Sequence, residues 1–323
     1  MSQGRAGGPP APAPGGRGRG SGGAGKGRGS GGGQGRGFGG AGQGRGGKAG
    51  PGGKPGPGPR HGRGDRGDAP ASRRIVVGLH PIREVLRAGQ RLDEILIASG
   101  RSDSAVLDDI ASLARRAGVP VRHVDRNRID GLAEGLVHQG VVAVGPPFPY
   151  ASMDQVVARA QAAGEPLFCV IADGVTDPHN LGAIARTAEG LGVHGLIIPS
   201  RRAAGVTPTV EKAAAGALAH LPLVQVSNVS SAIRTLKKLG VWIIGLEAGD
   251  SDMISASPLL GQPLAIVVGS EGQGLAHLSQ IGSDALVHLP MVGQVTSYNA
   301  SVAVALALYE VRRHRMEAER PPA

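Results

Sequence analysis

From Leu289 to Tyr309 the chain reads Leu-Pro-Met-Val-Gly-Gln-Val-Thr-Ser-Tyr-Asn-Ala-Ser-Val-Ala-Val-Ala-Leu-Ala-Leu-Tyr: a strand end, a polar loop, then a helix apolar on nearly every side. A helix without a polar face must be buried, so the rest of the chain has to supply layers around it. Gly293, Gln294, Thr296, Ser297 and Asn299 come immediately before the helix, gathering free backbone N–H groups and small hydrogen-bonding side chains at one interior spot. Taken alone, the loop is explained equally well as an ordinary helix start capped by Ser297 or Asn299. Two further polar loops upstream, each leaving a hydrophobic strand, turn the reading toward a ligand site.

Composition decides where the surrounding layers can come from. Of 56 glycines, 31 precede Ala71, among prolines and Gly-Arg repeats, with Phe38 the only aromatic. Residues 1–72 therefore read as a disordered Gly/Arg/Pro-rich basic tail with almost nothing to bury. This tail holds 12 Lys and Arg against Asp65 and Asp68, a net of +10 that equals the formal charge of the whole protein and leaves the body neutral. The sign asymmetry thus belongs to an arm and not to a folded face. Such an arm suits non-selective tethering to a polyanion such as RNA. It has no apolar face for a membrane surface. A solubilising extension with no partner is the plainer alternative.

Cys169, the only cysteine, lies in the apolar run Leu167-Phe-Cys-Val-Ile-Ala172 and reads as a core strand residue of a reducing compartment. With no apolar leader at the N-terminus and no bilayer-length apolar run, a cytoplasmic location is expected by default. One cysteine and ten scattered histidines give no metal-ligand cluster.

Residues 73–145 alternate strand and helix patterns: strands at 75–79, 92–98, 119–124 and 141–144, and helices at 81–87 and 104–117. This is the pattern of a small α/β sandwich. His80 reads more readily as a structural cap than as an RNA contact. Residues 146–151, with three prolines, form a semi-rigid linker. A second α/β unit spans 152–316, and 317–323 form a C-terminal tail. Its strands are placed at 167–172, 195–199, 223–226, 241–246, 264–268 and 284–289, with helices at 152–163, after Asp177-Pro178, at 210–219 and at 232–239.

Three of these strands run into polar loops. The first ends in Asp173-Gly-Val-Thr-Asp-Pro-His-Asn180, and Arg186 follows on a helix whose buried stripe is Leu181, Ile184, Ala185, Ala188 and Leu191. Ligands of open α/β sheets bind outside the carboxyl ends of strands, so Arg186 can serve phosphate or ribose; a solvent-facing arginine paired with Glu189 is an equal alternative. The second, Gly269-Ser-Glu-Gly-Gln-Gly274, has the glycines for close backbone approach. Glu271 there could equally be an acid favoured by a helix N-terminus. Neither a nucleophile elbow nor a dinucleotide fingerprint is present.

Together Asp177-Pro-His-Asn-Leu-Gly-Ala-Ile-Ala-Arg-Thr-Ala188, Val268-Gly-Ser-Glu-Gly-Gln-Gly-Leu275 and Leu289-Pro-Met-Val-Gly-Gln-Val-Thr-Ser-Tyr-Asn-Ala-Ser-Val-Ala303 resemble the three ordered motifs of the SpoU/TrmH family of RNA 2′-O-ribose methyltransferases. Residues 73–145, with Val77-Gly-Leu-His-Pro-Ile-Arg and His138-Gln-Gly140, are similar to that family's ribosomal-protein-L30e-like substrate-binding domain. The resemblance implies an α/β protein whose parallel-sheet domain carries a C-terminal trefoil knot. It also implies a homodimer using S-adenosyl-L-methionine. By the same resemblance Gly269, Leu289 and Tyr298 hold the cofactor, and Asn180, Arg186, Glu271, Ser297 and Asn299 form the catalytic constellation. The implied substrate is 23S rRNA, at a guanosine of the peptidyl-transferase loop. The alternatives are tRNA, another rRNA nucleotide, or a non-catalytic RNA-binding or ribosome-assembly role. Arginine, with a pKa above about 12, is expected to orient ribose and phosphate, with proton removal shared among Asn180, Ser297, Asn299 and water. Three positions depart from the family pattern: Tyr298 for leucine, Thr296 for Glu or Gly, and Ala214 for serine.

Overall fold

The structure is a computed structural model that describes residues 73–249 and 251–319. The basic tail inferred for 1–72 lies outside the described residues, as do 320–323. The elements in chain order are β1 (Arg74–Val77), α1 (Leu79–Arg87), β2 (Glu94–Ala98), α2 (Ala105–Ala117), β3 (Val121–Val124), α3 (Arg126–Ala133) and β4 (Val141–Gly145). Then come α4 (Met153–Ala163), β5 (Phe168–Ala172), α5 (Pro178–Gly190), β6 (Gly195–Pro199), α6 (Pro208–Ala214), β7 (Leu223–Val226), α7 (Val229–Lys238) and β8 (Trp242–Leu246). The chain finishes with β9 (Asp252–Met253), β10 (Leu264–Val268), α8 (His277–Gly282), β11 (Ala285–His288) and α9 (Ala300–Ala318).

The first four strands form one sheet in the order β1-β4-β2-β3, and the other seven form a second, β7-β6-β5-β10-β8-β11-β9, in which every pairing is parallel. A parallel sheet needs cover on both faces, and the strand residues show it. Phe168, Val170 and Ala172 of β5 join one core cluster with Leu181, Ile184, Val304 and Leu308. Cys169 and Ile171, pointing the other way, join a second cluster with Val156, Ile233 and Leu236. So α5, α6 and α9 cover one face, and α4 and α7 the other.

Local signals set the helix starts. Ser104, Ser152, Asp177, Thr207, Asn228 and Asn299 each cap a helix through a side-chain oxygen, and proline opens both α5 and α6. The single helix foreseen at 210–219 is instead α6 and a separate 3-10 turn, Ala217–Ala219, because Ala215 and Gly216 both take positive φ. Helices α3 and α8 were not foreseen from the sequence; both are short, and α8 buries only Ser279.

Helix α9 corrects the expectation of burial all round. Val304, Ala307, Leu308 and Val311 are buried, but Val302, Leu306 and Tyr309 stand exposed in a row at helical spacing. The helix lies on one face of a sheet, so a single chain covers only the stripe turned inward. It also carries a buried cation. Arg315 donates from Nε to the Leu260 carbonyl (3.1 Å), from Nη1 to Pro166 (3.0 Å) and from Nη2 to Gln262 (2.7 Å), over the Phe168 ring. Burial pulls its pKa down to about 10.

The two sheets are fastened by polar contacts. Arg74 of β1 pairs with Glu211 of α6, both almost fully buried, and its guanidinium lies 4.9 Å from the centre of the Phe148 ring in the proline-rich connection. Gln90 donates to the Ala219 carbonyl (3.1 Å), and His220 meets Glu84 (3.1 Å). His80, foreseen as a cap, is exposed in the first turn of α1, which starts with no side-chain cap.

Candidate active site

Strands β5, β10, β8 and β11 are neighbours in that order, so their carboxyl ends bring four loops to one edge of the sheet. All three polar loops singled out in the sequence are among them. Asn180 is in the first turn of α5, set by the Asp177 cap, and only 6% exposed. Its Nδ2 donates to Glu271 Oε1 at 2.7 Å. Asn299 Nδ2 donates to the same Glu271 oxygen at 2.7 Å and to Asn180 Oδ1 at 3.0 Å. Meanwhile Asn299 Oδ1 accepts from the backbone N–H groups of Ser301 (2.9 Å) and Val302 (3.4 Å), capping α9. Residues 91 and 28 positions from Glu271 along the chain thus meet on a single carboxylate oxygen. Among the described residues, Glu271 Oε2 receives no protein donor. The reading of Glu271 as a helix N-terminal acid is corrected: α8 begins only at His277.

Glu271 is held there by a closed turn. Ser270 N–H donates to Gly274 O and Gly274 N–H to Ser270 O, each at 3.0 Å. Gly269 makes this closure possible, since a Cβ on it would stand 1.9 Å from the Gly274 oxygen. At the third loop, the Tyr298 hydroxyl donates to the Pro290 carbonyl at 2.9 Å, tying the two ends of the 290–298 segment together. The departure at Tyr298 therefore spends its side-chain hydroxyl within the loop.

These loops enclose a cavity of about 550 Å³, lined by Gly269, Glu271, Leu289, Ser297, Tyr298 and Asn299 with apolar Leu246, Met291, Ala300 and Ala303. It falls in the range of small-molecule sites, about 300–1,000 Å³. Among the described residues, the charged ones lining it are acids, Glu247 and Glu271. Glu247 was not singled out from the sequence, yet it directly follows β8, and strand-end position alone would have found it.

Arg186 is not in this cavity. It stands exposed over a separate depression lined by Glu84, Glu189, Ala214 to Ala217 and His220. Nor does it pair with Glu189, as no ion pair joins the two. Six residues beyond Asn180, it sits about 9 Å further along the helix axis and on a different face.

Among the described residues no group of His, Cys, Asp and Glu could hold a metal ion. No described helix is long and apolar enough to cross a membrane.

Comparison with known proteins places this geometry. Residues 167–309 match the SpoU rRNA Methylase family, and residues 75–151 match the domain described as RNA 2′-O ribose methyltransferase substrate binding. A protein of Staphylococcus saprophyticus described as a TrmH family tRNA/rRNA methyltransferase is 42% identical over 241 residues, covering 75% of this chain and 96% of its own. The chain belongs to the SpoU/TrmH family. A Bacillus subtilis protein of the same description is 38% identical over 240 residues, covering 74% of this chain and 95% of its own. Among solved structures, the SpoU methyltransferase AviRb of Streptomyces viridochromogenes in complex with AdoMet superposes with a TM-score of 0.65. It is 26% identical and covers 75% of this chain and 90% of that one.

As a SpoU/TrmH enzyme the chain is an RNA methyltransferase that uses S-adenosylmethionine for 2′-O-methylation. The cavity fits that cofactor on chemistry as well as volume. Among the described residues its lining would offer a sulfonium cation two acids and no base, an adenosine apolar walls, and close-range backbone at the glycine turn.

Proposed function

We propose that this chain methylates a ribose 2′-hydroxyl of 23S rRNA, at a guanosine of the peptidyl-transferase loop, and does so as a homodimer. The observation that carries methyl transfer is the meeting of Asn180 with Glu271 and Asn299, the last two on the wall of the acidic cavity and Asn180 in the small crevice beside it. A bound cofactor supplies an already activated methyl group, so the protein's part is positioning. Two amide donors fix Glu271 through Oε1 and leave Oε2 to accept the hydrogen of the ribose hydroxyl. Ser297, on the same wall, supplies a hydroxyl for the other side of the sugar. Gly269, Leu289 and the Tyr298 backbone hold the adenosine.

The preference for ribosomal RNA rests on the substrate-binding domain matched over 75–151, which the minimal tRNA enzymes of the family lack. The homodimer is supported by the apolar row Val302, Leu306 and Tyr309, uncovered in one chain. It also gives Arg186, which lies outside its own chain's cavity, a route to substrate across the partner. The chain between β11 and α9 is the segment that the family's trefoil knot would thread.

The test is a map of 2′-O-methyl groups in 23S rRNA from cells with and without the gene. Loss of one ribose methyl in the peptidyl-transferase loop is the expected result. An unchanged 23S map with a methyl missing from tRNA would move the assignment to the other substrate class.

A further inference from the structure

The turn that carries Glu271 has two sides. Beyond it, over the carboxyl ends of β5, β6 and β7, lies a second cavity of about 740 Å³, larger than the cofactor cavity at about 550 Å³. The two share Ser270 and Gly274, so a single turn separates them. A small crevice lined by Thr176, Asn180 and Glu271 lies at that partition.

Their electrostatics are opposite. Among the described residues, the cofactor cavity is lined by two acids and no base. The second carries Arg201 and Arg202, and its one carboxylate, Asp173, already accepts the Ser279 hydroxyl at 2.5 Å. Both arginines are exposed. Neither enters an ion pair or a side-chain hydrogen bond among the described residues. Arg202 is held at φ 58, where a non-glycine residue is unfavourable. Gln273, Asn228 and His277 add hydrogen-bonding groups to the wall.

We propose that this second cavity holds the RNA strand beside the methylated ribose, with Arg201 and Arg202 as contacts to its phosphodiester oxygens. The inference rests on the reading of the chain as an RNA 2′-O-methyltransferase and adds to it the path of the substrate. A cationic cofactor occupies the acidic side of the Glu271 turn, a polyanion occupies the basic side, and the reacting hydroxyl lies at the partition. The volume suits one or two nucleotides. Guanidinium groups free of protein carboxylates are the usual partners of phosphate, and backbone contacts of this kind fix register without reading sequence.

The variant to test is Arg201→Gln with Arg202→Asn in the full chain, asparagine being chosen because it tolerates the left-handed backbone. Binding of labelled 23S rRNA transcript and, in parallel, of total tRNA is measured by filter binding across a salt series. The cofactor Kd is measured by calorimetry, and methyl transfer from tritiated AdoMet is followed on the same RNAs. Removing two phosphate contacts should lower the slope of log K against log salt by about 1.4 to 1.8. At physiological salt the RNA Kd should rise tenfold or more, with KM for RNA rising in step and the AdoMet Kd unchanged. Arg234→Gln with Lys238→Gln, two exposed cations on α7 outside both the cavity lining and the matched substrate-binding domain, is the charge-matched control and should do much less.

An RNA Kd and salt slope equal to wild type in the Arg201/Arg202 variant overturns the proposal. So does an equal loss in the control, which would make the effect one of bulk charge. Binding to 23S transcript without methylation of it sinks only the choice of target and leaves the arginine result standing. Failure of the wild type to bind either RNA sinks the path and the RNA substrate together.

Discussion

Replacing Gly269 with alanine strikes the site where it has least freedom to adjust. The new Cβ would stand 1.9 Å from Gly274 O, 2.1 Å from Gly274 C and 2.4 Å from Leu275 N. All three are backbone atoms, so no rotamer change relieves the clash. Reaching an ordinary C···O approach of about 3.3 Å requires roughly 1.4 Å of movement across the turn. That movement breaks the two Ser270–Gly274 hydrogen bonds. At about 1 kcal/mol net each, the closed turn loses about 2 kcal/mol, which as lost affinity is roughly a thirtyfold rise in Kd for AdoMet. Glu271 rides on the same turn, and a misplacement of about 1 Å at a reacting centre costs about a hundredfold in rate. Calorimetry with AdoMet and single-turnover methyl transfer measure the two effects, with thermal unfolding as the check on fold. Gly272→Ala is the companion: nothing lies within 4 Å of its Cβ position, but its φ is 81. It therefore costs only backbone strain, about 1–2 kcal/mol. A Gly269→Ala protein that binds AdoMet within threefold of wild type and keeps its turnover would refute the role given to the closed turn.

Asn299→Asp keeps an oxygen to cap α9 but removes the Nδ2 donor shared by Glu271 and Asn180 and sets a second carboxylate beside Glu271; stability should hold within a few degrees of Tm while methyl transfer falls about a hundredfold or more. Asn299→Ala should lose the cap as well, about 1 kcal/mol in denaturant unfolding. Cys169 is fully buried and its thiol is pushed up to about 12 by burial, so it should resist thiol reagents at pH 8 until the chain unfolds. His194 is buried, with Nδ1 accepting the Phe168 N–H at 3.0 Å, and burial holds its pKa below the usual 6.5. The unfolded chain then binds the extra proton first. This share of stability is complete above about pH 6.5 and is lost as pH falls toward the folded-state value. Urea unfolding at pH 7.5 and 5.5 should show the drop, and His194→Gln should lessen it.

The sheet and its loops were legible because they depend on local pattern. Apolar runs such as Phe168–Ala172 and Leu264–Val268, short and bounded by polar loops, read as buried strands, and Asp177 followed by Pro178 announces the helix after it. The meeting of Asn180, Glu271 and Asn299 was legible only through the family likeness, because spacing along a chain does not give strand order. Arg186 was joined to the site through the same likeness; six residues of helix beyond Asn180 turn its side chain to another face of its own chain. One misreading has a physical cause. Helix α9 was thought enclosed because composition does not reveal how many chains share its cover. Arg201 and Arg202 drew no notice since two adjacent arginines in a loop look like ordinary solvated charge; only the cavity beneath them gives them a target.

Asn299 serves two masters with one planar group, its oxygen given to the first turn of α9 and its nitrogen to Glu271. Because the helix dictates which way the amide faces, the donor toward Glu271 is already aimed before any cofactor or RNA arrives. The arrangement also ties together two traits that selection usually tunes apart. A lineage drifting at this position cannot trade a sturdier helix for a weaker enzyme in small steps, since asparagine alone among the common capping residues offers an acceptor and a donor on one rigid plane.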